Sequence, residues 1–273
     1  MLSFNTYHRP KSIEEAFTLL SDHKRSQLLG GGAFLRMGQR KLTDVIDLSD
    51  LDLDYIKESV EAYTIGAMTN FHTLETSEVL SPKLSAYFKE ALGQIVGIQL
   101  RSMVTLGGTV YSRYGFSDLN TALLALGGHV KLYKQGRVSM ESFFSSDRPK
   151  RDVLTSIELP KVIEYGTFKS ARLSTADYAL LNMAVVRTNS AMENGSKWRI
   201  SVGARPHGAI LAHETMAFLN ENDLNHANVS KASEILMSEI NFGTNRLASS
   251  EYRRAVAGGL LKQTLLEVMS DEN

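Results

Sequence analysis

Cysteine is absent from this chain of 273 residues. Without thiols the chain can form no disulfide bond, which suits the cytoplasm, and we predict that location. It also cannot ligate an ordinary iron–sulfur cluster, because such clusters are held by cysteine thiolates. Any iron–sulfur cluster in an electron path that includes this chain must therefore lie on another polypeptide.

The chain also lacks an excess of either charge and has no long apolar run. Lys plus Arg and Asp plus Glu number 30 each, so nothing in the net charge suggests nucleic acid or a membrane surface as a partner. No apolar run approaches the roughly 20 residues of a membrane span. The first residues, Met1–Asn5, contain no basic segment before an apolar core, so we predict no secretory signal. The composition, 43% hydrophobic and 22% charged, is typical of a folded globular protein.

Side-chain patterns for catalysis or metal binding are missing as well. The seven histidines are scattered without metal-ligand spacing, and no catalytic triad or pair of acids stands out. The pattern G-x-x-x-x-G-K-[ST] does not occur, which excludes a P-loop. We therefore predict no metal site and no catalytic side chain in this polypeptide.

What the chain does contain is two short glycine clusters. Gly30–Gly32 follow Gln27–Leu29, and Gly107–Gly108 follow Val104–Leu106, both apolar, strand-like stretches. Consecutive glycines let backbone N–H groups turn outward and let a ligand approach without a Cβ in the way. Two such turns could hold the two ends of a dinucleotide pyrophosphate, although most Gly-Gly pairs are only turns. The first cluster is not G-x-G-x-x-G, because Ala33–Leu35 follow it.

Both clusters lie within longer motifs. Gly30–Leu35 read G-G-G-A-F-L, against a family pattern A-G-G-T/H-D/S-L; Leu100–Thr109, followed by Asp118-Leu119, match I-R-N-x-x-T-I-G-G-N and a later D-L. Further ordered matches lie at Phe4–Pro10 with Ser12–Ala16, Tyr63–Thr69, Asp152–Pro160, Phe168-Lys169, Ala176–Ala179, and Val202–Ala204 with Pro206. The chain thus resembles the FAD-binding subunit of the molybdenum hydroxylases, the family of xanthine dehydrogenase and carbon monoxide dehydrogenase.

The resemblance implies an α+β fold. It predicts a two-part FAD-binding domain of the vanillyl-alcohol-oxidase-like (PCMH) type over residues 1–162. A small carboxy-terminal domain like that of carbon monoxide dehydrogenase flavoprotein is expected over residues 163–273. The local patterns agree: strands near Gly166–Ala171, Met183–Thr188 and Trp198–Ala204 precede helices near His213–Asn220, Ser230–Ser238 and Tyr252–Met269.

By resemblance, the first glycine cluster binds the FAD diphosphate through Leu29, Gly30, Gly31, Gly32, Ala33 and Phe34. Ala33 and Phe34 replace the small polar residues that are usual there, so side-chain hydroxyl contacts to the phosphates are lost. Backbone N–H groups must then supply more of the hydrogen bonds to the phosphates. The alternative is an ordinary strand-to-helix turn.

The second cluster supplies Thr105, Gly107, Gly108 and Thr109, again by resemblance. Thr109 stands where asparagine is usual, which removes an amide donor and leaves a hydroxyl. Asp118 is expected to face the sugar-like ribityl chain of the flavin. Its alternative role is to cap the helix that follows.

Three further residues are expected near the isoalloxazine ring. Leu154 matches an apolar residue that packs on the ring, with the protein core as the alternative. Lys169 matches a lysine near the ring, where positive charge would favour the anionic reduced flavin; a surface lysine is the alternative. Tyr178 matches a residue at the face of the ring, although buried tyrosines are common.

The function implied is that of an FAD-carrying electron-transfer subunit, in which a separate large chain holds molybdopterin and a small chain carries [2Fe–2S] clusters. Electrons would leave FAD for NAD⁺ or another acceptor. A purine such as xanthine is the commonest substrate in the family, but this subunit does not touch it. Two alternatives are a stand-alone FAD-dependent oxidoreductase and a non-catalytic assembly subunit whose FAD site has decayed.

Overall fold

The computed structural model describes residues 3–39, 41–146, 151–161, 163–175, 177–188 and 197–271. The strands found there are β1 (Ser3–His8), β2 (Gln27–Leu29), β3 (Lys41–Asp47), β4 (Ile56–Glu58), β5 (Ala62–Gly66), β6 (His129–Leu132), β7 (Gly136–Ser139), β8 (Leu154–Pro160), β9 (Ile163–Ala171), β10 (Leu181–Thr188), β11 (Trp198–Gly203) and β12 (Ile210–Leu211). The α-helices are α1 (Ile13–Asp22), α2 (Phe71–Thr76), α3 (Pro82–Gly93), α4 (Ile98–Arg101), α5 (Leu106–Ser112), α6 (Asp118–Leu126), α7 (Met140–Ser145), α8 (His213–Glu221), α9 (His226–Glu239) and α10 (Ser250–Asp271). The polar sequence Ser190–Ser196 predicts a hairpin loop, but these residues lie outside the described ones.

The chain divides into two compact units, and neither is continuous in sequence. The first unit comprises Met1–Leu80, Ile95–Ser112 and Gly128–Leu159. The second comprises Ser81–Gln94, Arg113–Gly127 and Pro160–Asn273. Helices α3 and α6, which come early in the sequence, therefore belong to the unit that contains the carboxy terminus. These compact units are not the same as the two domains predicted from the sequence, and the domain boundary between residues 162 and 163 stays a prediction.

The first unit contains two sheets. A parallel three-stranded sheet has the order β1-β3-β2, and a five-stranded sheet has the order β4-β5-β8-β6-β7. Helix α1 buries Ala16 and Leu20 in a cluster with Ile46 of β3. The sequence Ser12-x-x-Glu15 predicts a helix start at this point, and the side chain of Ser12 indeed accepts a hydrogen bond from the backbone N–H of Glu15.

The second unit is built on an antiparallel sheet of order β12-β11-β10-β9. In β10 the six residues Leu181–Val186 are all buried, because α6 and α10 both pack against this strand. A strand covered on both faces has a continuous apolar sequence instead of an alternating one. Helices α8, α9 and α10 follow the strands, so the predicted α+β class is confirmed.

The carboxy-terminal end of α6 is fixed by a buried arginine. Arg199 of β11 donates hydrogen bonds to the carbonyl oxygens of Leu124 (2.9 Å) and Ala125 (3.0 Å). A cation at this end of a helix satisfies carbonyl groups that lack a helical partner and offsets the helix dipole. The contact fixes the helix on which Asp118 lies.

The sequence prediction of a strand before the second glycine cluster is wrong. The short helix α4 precedes the cluster, and Thr105 forms only an isolated bridge with Asn70. Phe71 N–H donates to the Val104 carbonyl and Leu106 N–H to the Thr69 carbonyl. The backbone groups of Val104 and Leu106 are thus hydrogen-bonded to residues 69 and 71 and do not join a β-sheet. Gly107 and Gly108 then lie within the first turns of α5.

Among the residues described, no helix is long and apolar enough to cross a membrane.

Candidate functional site

The two glycine clusters lie directly against each other in the first unit. We call Gly30–Phe34 the first loop and Thr105–Thr109 the second loop. A Cβ on Gly31 would lie only 1.4 Å from the carbonyl oxygen of Met103, just before the second loop. A Cβ on Gly30 would lie 2.5 Å from Oγ1 of Thr105. Only glycine permits this approach, so the two predicted clusters form one site.

The first loop carries consecutive backbone donors without internal partners. Strand β2 ends at Leu29, whose carbonyl accepts a hydrogen bond from Leu48 N–H (3.1 Å). Within the described part of the chain, the N–H groups of Gly31, Gly32 and Ala33 donate to no acceptor. Gly32 has φ +71°, a left-handed conformation that turns the chain after the strand. A run of free amides at such a turn can bind an anion.

The second loop, in contrast, uses its amides internally. Leu106 N–H donates to the Thr69 carbonyl (2.8 Å) and Gly107 N–H to the Ala67 carbonyl (2.7 Å). Gly108 N–H donates over 3.3 Å to Oγ1 of Thr105. A Cβ on Gly107 would lie 2.7 Å from the Cβ of Ala67, so this glycine is required by packing.

Gly108 is the open position of the second loop. It is exposed, and a Cβ there would meet only the Thr105 hydroxyl, at 2.9 Å. The hydroxyl of Thr109 donates to the Thr105 carbonyl within the helix (3.0 Å). The hydroxyl that replaces the expected asparagine is therefore engaged in the helix.

The two residues that depart from the family pattern in the first loop have packing roles. Ala33 is buried, and Phe34 is half-buried where the 3-10 turn Leu35–Met37 begins. Leu154, at the start of β8, is also buried and belongs to the core of the first unit. None of these three side chains supplies a polar group.

Arg101 fixes the segment that leads into the second loop. Its Nε donates to Glu75 Oε1 (2.8 Å), and its Nη1 donates to the Ile95 carbonyl (2.6 Å). The sequence motif contains Arg101, but its spacing gives no hint of Glu75 as the partner. The ion pair lies two residues before Met103 and so supports the contact with Gly31.

Asp118 belongs to the second unit, where its carboxylate is enclosed by polar partners. Oδ1 accepts a hydrogen bond from Nδ2 of Asn182 (2.7 Å), and Oδ2 accepts one from Nη2 of Arg172 (2.5 Å). The helix cap is Ser117, whose side chain accepts from Asn120 N–H, so capping by Asp118 is wrong. Burial raises the pKa of the Asp118 carboxyl, while the charge and hydrogen bond of Arg172 oppose that rise.

Lys169 and Tyr178 also lie in the second unit. Nζ of Lys169 contacts both carboxylate oxygens of Glu267, at 2.7 and 2.6 Å, and this hydrogen bond lowers the pKa of Glu267. Tyr178 is 52% exposed, so the alternative of a buried tyrosine is wrong.

The exposed Tyr178 ring packs on the ring of Phe116. Its centroid lies 4.4 Å from that of Phe116, which stacks on Tyr114 at 5.2 Å with 14° between the ring planes. We call Tyr114, Phe116 and Tyr178 the aromatic cluster. The sequence motifs point only to Tyr178 among these three residues, because no local pattern shows that the segments around residues 116 and 178 meet.

Across the ranges that the structure describes, no group of three or more His, Asp or Glu side chains could hold a metal ion.

Comparison with known proteins identifies the fold and its cofactor. Residues 2–162 match the FAD binding domain in molybdopterin dehydrogenase, and residues 166–268 match the CO dehydrogenase flavoprotein C-terminal domain. The chain therefore belongs to the family of FAD-binding subunits of molybdenum hydroxylases, and its cofactor is FAD. The resemblance stated from the sequence motifs is confirmed.

Individual relatives match over nearly their whole length. The glyceraldehyde dehydrogenase medium chain of Sulfolobus acidocaldarius is 27% identical, over 96% of this chain and 98% of its own. The nicotine 6-hydroxylase medium subunit of Paenarthrobacter nicotinovorans is 28% identical, over 96% of each chain. A solved structure of carbon monoxide dehydrogenase from Hydrogenophaga pseudoflava matches with a TM-score of 0.85 and 25% identity, covering 96% of this chain and 95% of that chain.

The close contact at Gly31 predicts a large effect of a single methyl group. Gly31→Ala should lower the free energy of unfolding by at least about 1–3 kcal/mol, because the new Cβ collides with the Met103 carbonyl. Urea unfolding of the flavin-free chain measures this directly. Gly93→Ala is the matched control, since nothing lies within 4 Å of its Cβ position. Equal stability of the two variants would show that the loops do not touch as described.

Proposed function

We propose that this chain is the FAD-carrying electron-transfer subunit of a molybdopterin-dependent dehydrogenase. The observation that carries the proposal is the first loop, in which Gly31, Gly32 and Ala33 present amides without internal acceptors after strand β2. FAD carries a diphosphate, and outward-facing backbone amides are the donors that suit phosphate oxygens. A Cβ at Gly31 has no room, so the loop keeps a bare backbone surface.

The diphosphate is proposed to bind Leu29 together with the first loop. It is also proposed to approach Thr105, Gly107, Gly108 and Thr109 of the second loop. The amides of Gly31, Gly32 and Ala33 in the first loop donate to no described acceptor, whereas those of Gly107 and Gly108 already donate within the chain. Hydrogen bonding to phosphate is therefore assigned chiefly to the first loop. The second loop contributes close approach at the exposed Gly108.

The ring-facing residues are assigned from the family motifs. Tyr178 offers an exposed aromatic face, and Lys169 offers a cation that Glu267 partly compensates. Leu154 is assigned an apolar contact with the ring. Asp118 is assigned to the ribityl chain, and its bonds to Arg172 and Asn182 hold its carboxylate in one orientation.

Bound FAD supplies the redox chemistry, since a flavin takes up two electrons and releases them singly or as hydride. The protein binds the diphosphate, keeps the loops fixed and sets the charge near the ring. The sequence contains no cysteine, so iron–sulfur clusters that deliver electrons would lie on another chain.

The relatives named medium chain or medium subunit support an assembly with other subunits. We assign a molybdopterin-binding large subunit and a [2Fe–2S] small subunit as partners, with NAD⁺ or another acceptor receiving the electrons in the cytoplasm.

Charge at the second loop tests the placement of the diphosphate. Gly108→Asp should raise the Kd for FAD by roughly tenfold to a hundredfold, since a carboxylate about 6 Å from a phosphate costs about 3 kcal/mol at an effective dielectric near 20. Fluorescence titration of the flavin-free chain measures the Kd. Gly108→Ala adds the same Cβ without charge and therefore measures the steric part alone, so it should weaken FAD binding much less than Gly108→Asp does. If the two variants bind FAD alike, the diphosphate does not lie at Gly108.

Two opposite substitutions test the placement of the ring near Lys169. Lys169→Met should lower the two-electron potential of bound FAD, because the anionic reduced ring loses a favourable charge. Glu267→Gln should raise it, because Lys169 is then uncompensated. We expect shifts of roughly tens of millivolts, since about 30 mV corresponds to 1.4 kcal/mol for two electrons. Unchanged potentials in both variants would place Lys169 away from the ring.

The assembly is tested by purification from the native cell. A tag on this chain should recover two further polypeptides together with iron and molybdenum, because the sequence has no cysteine to ligate the clusters and the proposed molybdopterin lies on the large subunit. Metal analysis and mass spectrometry of the purified sample measure this outcome. A homogeneous flavoprotein with full turnover and no partners would instead support the stand-alone oxidoreductase. A partner-bound chain without flavin absorption would support the assembly subunit.

A further inference from the structure

Arg172, directly after β9, holds several segments of the second unit together. Its side chain is only 9% exposed. Nε donates to Oγ of Ser170 (3.1 Å) and Oε1 of Gln94 (3.2 Å). Nη1 donates to the carbonyl oxygen of Asp177 (2.7 Å), and Nη2 donates to Oδ2 of Asp118 (2.5 Å). A single guanidinium thus satisfies four acceptors.

Two of these acceptors adjoin the aromatic cluster. Asp177 is the residue before Tyr178, and Asp118 follows Phe116 by two positions. Arg172 therefore links the backbone next to one ring with the helix start next to the other. The two ring centroids are 4.4 Å apart.

Burial alone does not fix the Tyr178 ring, because 52% of the residue is exposed. A second chain of hydrogen bonds holds Asp118, which lies near Phe116 in the sequence. Nδ2 of Asn182 donates to Asp118 (2.7 Å), and Oγ1 of Thr121 donates to Oδ1 of Asn182 (2.8 Å). The polar network of Asp118, Asn182 and Thr121 is buried, whereas about half of Tyr178 is exposed to solvent.

The contacts of Arg172 suit the chemistry of arginine. Its planar fork of donors reaches a carboxylate and a carbonyl at the same time in a fixed geometry. A lysine would keep a positive charge for Asp118 but offers one ammonium instead of a fork. Arg172→Lys therefore keeps a positive charge beside Asp118 but loses the simultaneous hydrogen bond to the Asp177 carbonyl.

We propose that Arg172 is a positioning residue that, through Asp118 and Asp177, holds the Tyr178 ring against Phe116 and so orients the ring toward the flavin. This inference rests on the proposed placement of Tyr178 at the flavin. Arg172 acts through the two segments that it joins.

The test compares flavin emission in three variants of the FAD-loaded protein. An aromatic ring stacked at a flavin quenches its fluorescence, so Tyr178→Leu should increase emission per bound FAD. Arg172→Lys should produce at least half of that increase, and adding Arg172→Lys to Tyr178→Leu should add little. Arg187→Lys is the control, since Arg187 belongs to the same unit and pairs with Glu164 at 3.3 Å. Its emission should equal that of the parent.

The outcomes separate the two proposals. If Tyr178→Leu increases emission and Arg172→Lys leaves it unchanged, the positioning role is wrong while Tyr178 stays at the flavin. If Tyr178→Leu changes nothing, the placement of Tyr178 is wrong and the inference fails with it. A merely structural role for Arg172 would lower the unfolding temperature without changing emission per bound FAD.

A flavin-free measurement covers the case in which Arg172→Lys does not fold. Asp118→Asn keeps the size of the side chain and weakens its ion pair with Arg172. Near-ultraviolet circular dichroism of the flavin-free chain should then lose part of the aromatic signal that Tyr178→Leu removes. An unaltered aromatic signal in folded Asp118→Asn would overturn the proposed coupling.

Discussion

The contact between Gly31 and the Met103 carbonyl is the constraint on which the site depends. Because neither Gly30 nor Gly31 has a side chain, the first loop can lie against the segment that enters α5. Arg101 fixes that segment through Glu75 and the Ile95 carbonyl. The first loop is thereby held through its Cα atoms, and the amides of Gly31, Gly32 and Ala33 donate to no acceptor among the described residues. The glycines are required by packing, and in the proposed binding mode they also keep the backbone accessible to the diphosphate.

The two loops have similar sequences, but their backbone amides differ in whether they are already hydrogen-bonded within the chain. The amides of the second loop bond to Ala67, Thr69 and Thr105, which fixes α5 but leaves little for an anion. This difference also accounts for Ala33 and Phe34. When backbone amides provide the hydrogen bonds, side-chain hydroxyls are dispensable, and apolar residues can pack in their place.

Local signals in the sequence predicted much of the fold. The Ser12 cap of α1 and the order of strands before helices both depend on neighbours in the chain, and the structure confirms them. The partners of Asp118 could not be predicted, because Arg172 and Asn182 lie 54 and 64 positions away. For the same reason the pairing of Lys169 with Glu267, 98 positions away, was missed.

The most direct test of the central claim is to observe the amides themselves. In the flavin-free chain labelled with nitrogen-15, titration with FAD should shift the N–H resonances of Gly31, Gly32 and Ala33 strongly. ADP, which carries the same diphosphate, should shift them in the same direction. The resonance of Gly107, whose N–H already donates to Ala67, should move much less. Unchanged first-loop resonances at saturating FAD, or a dominant shift at Gly107, would contradict the account.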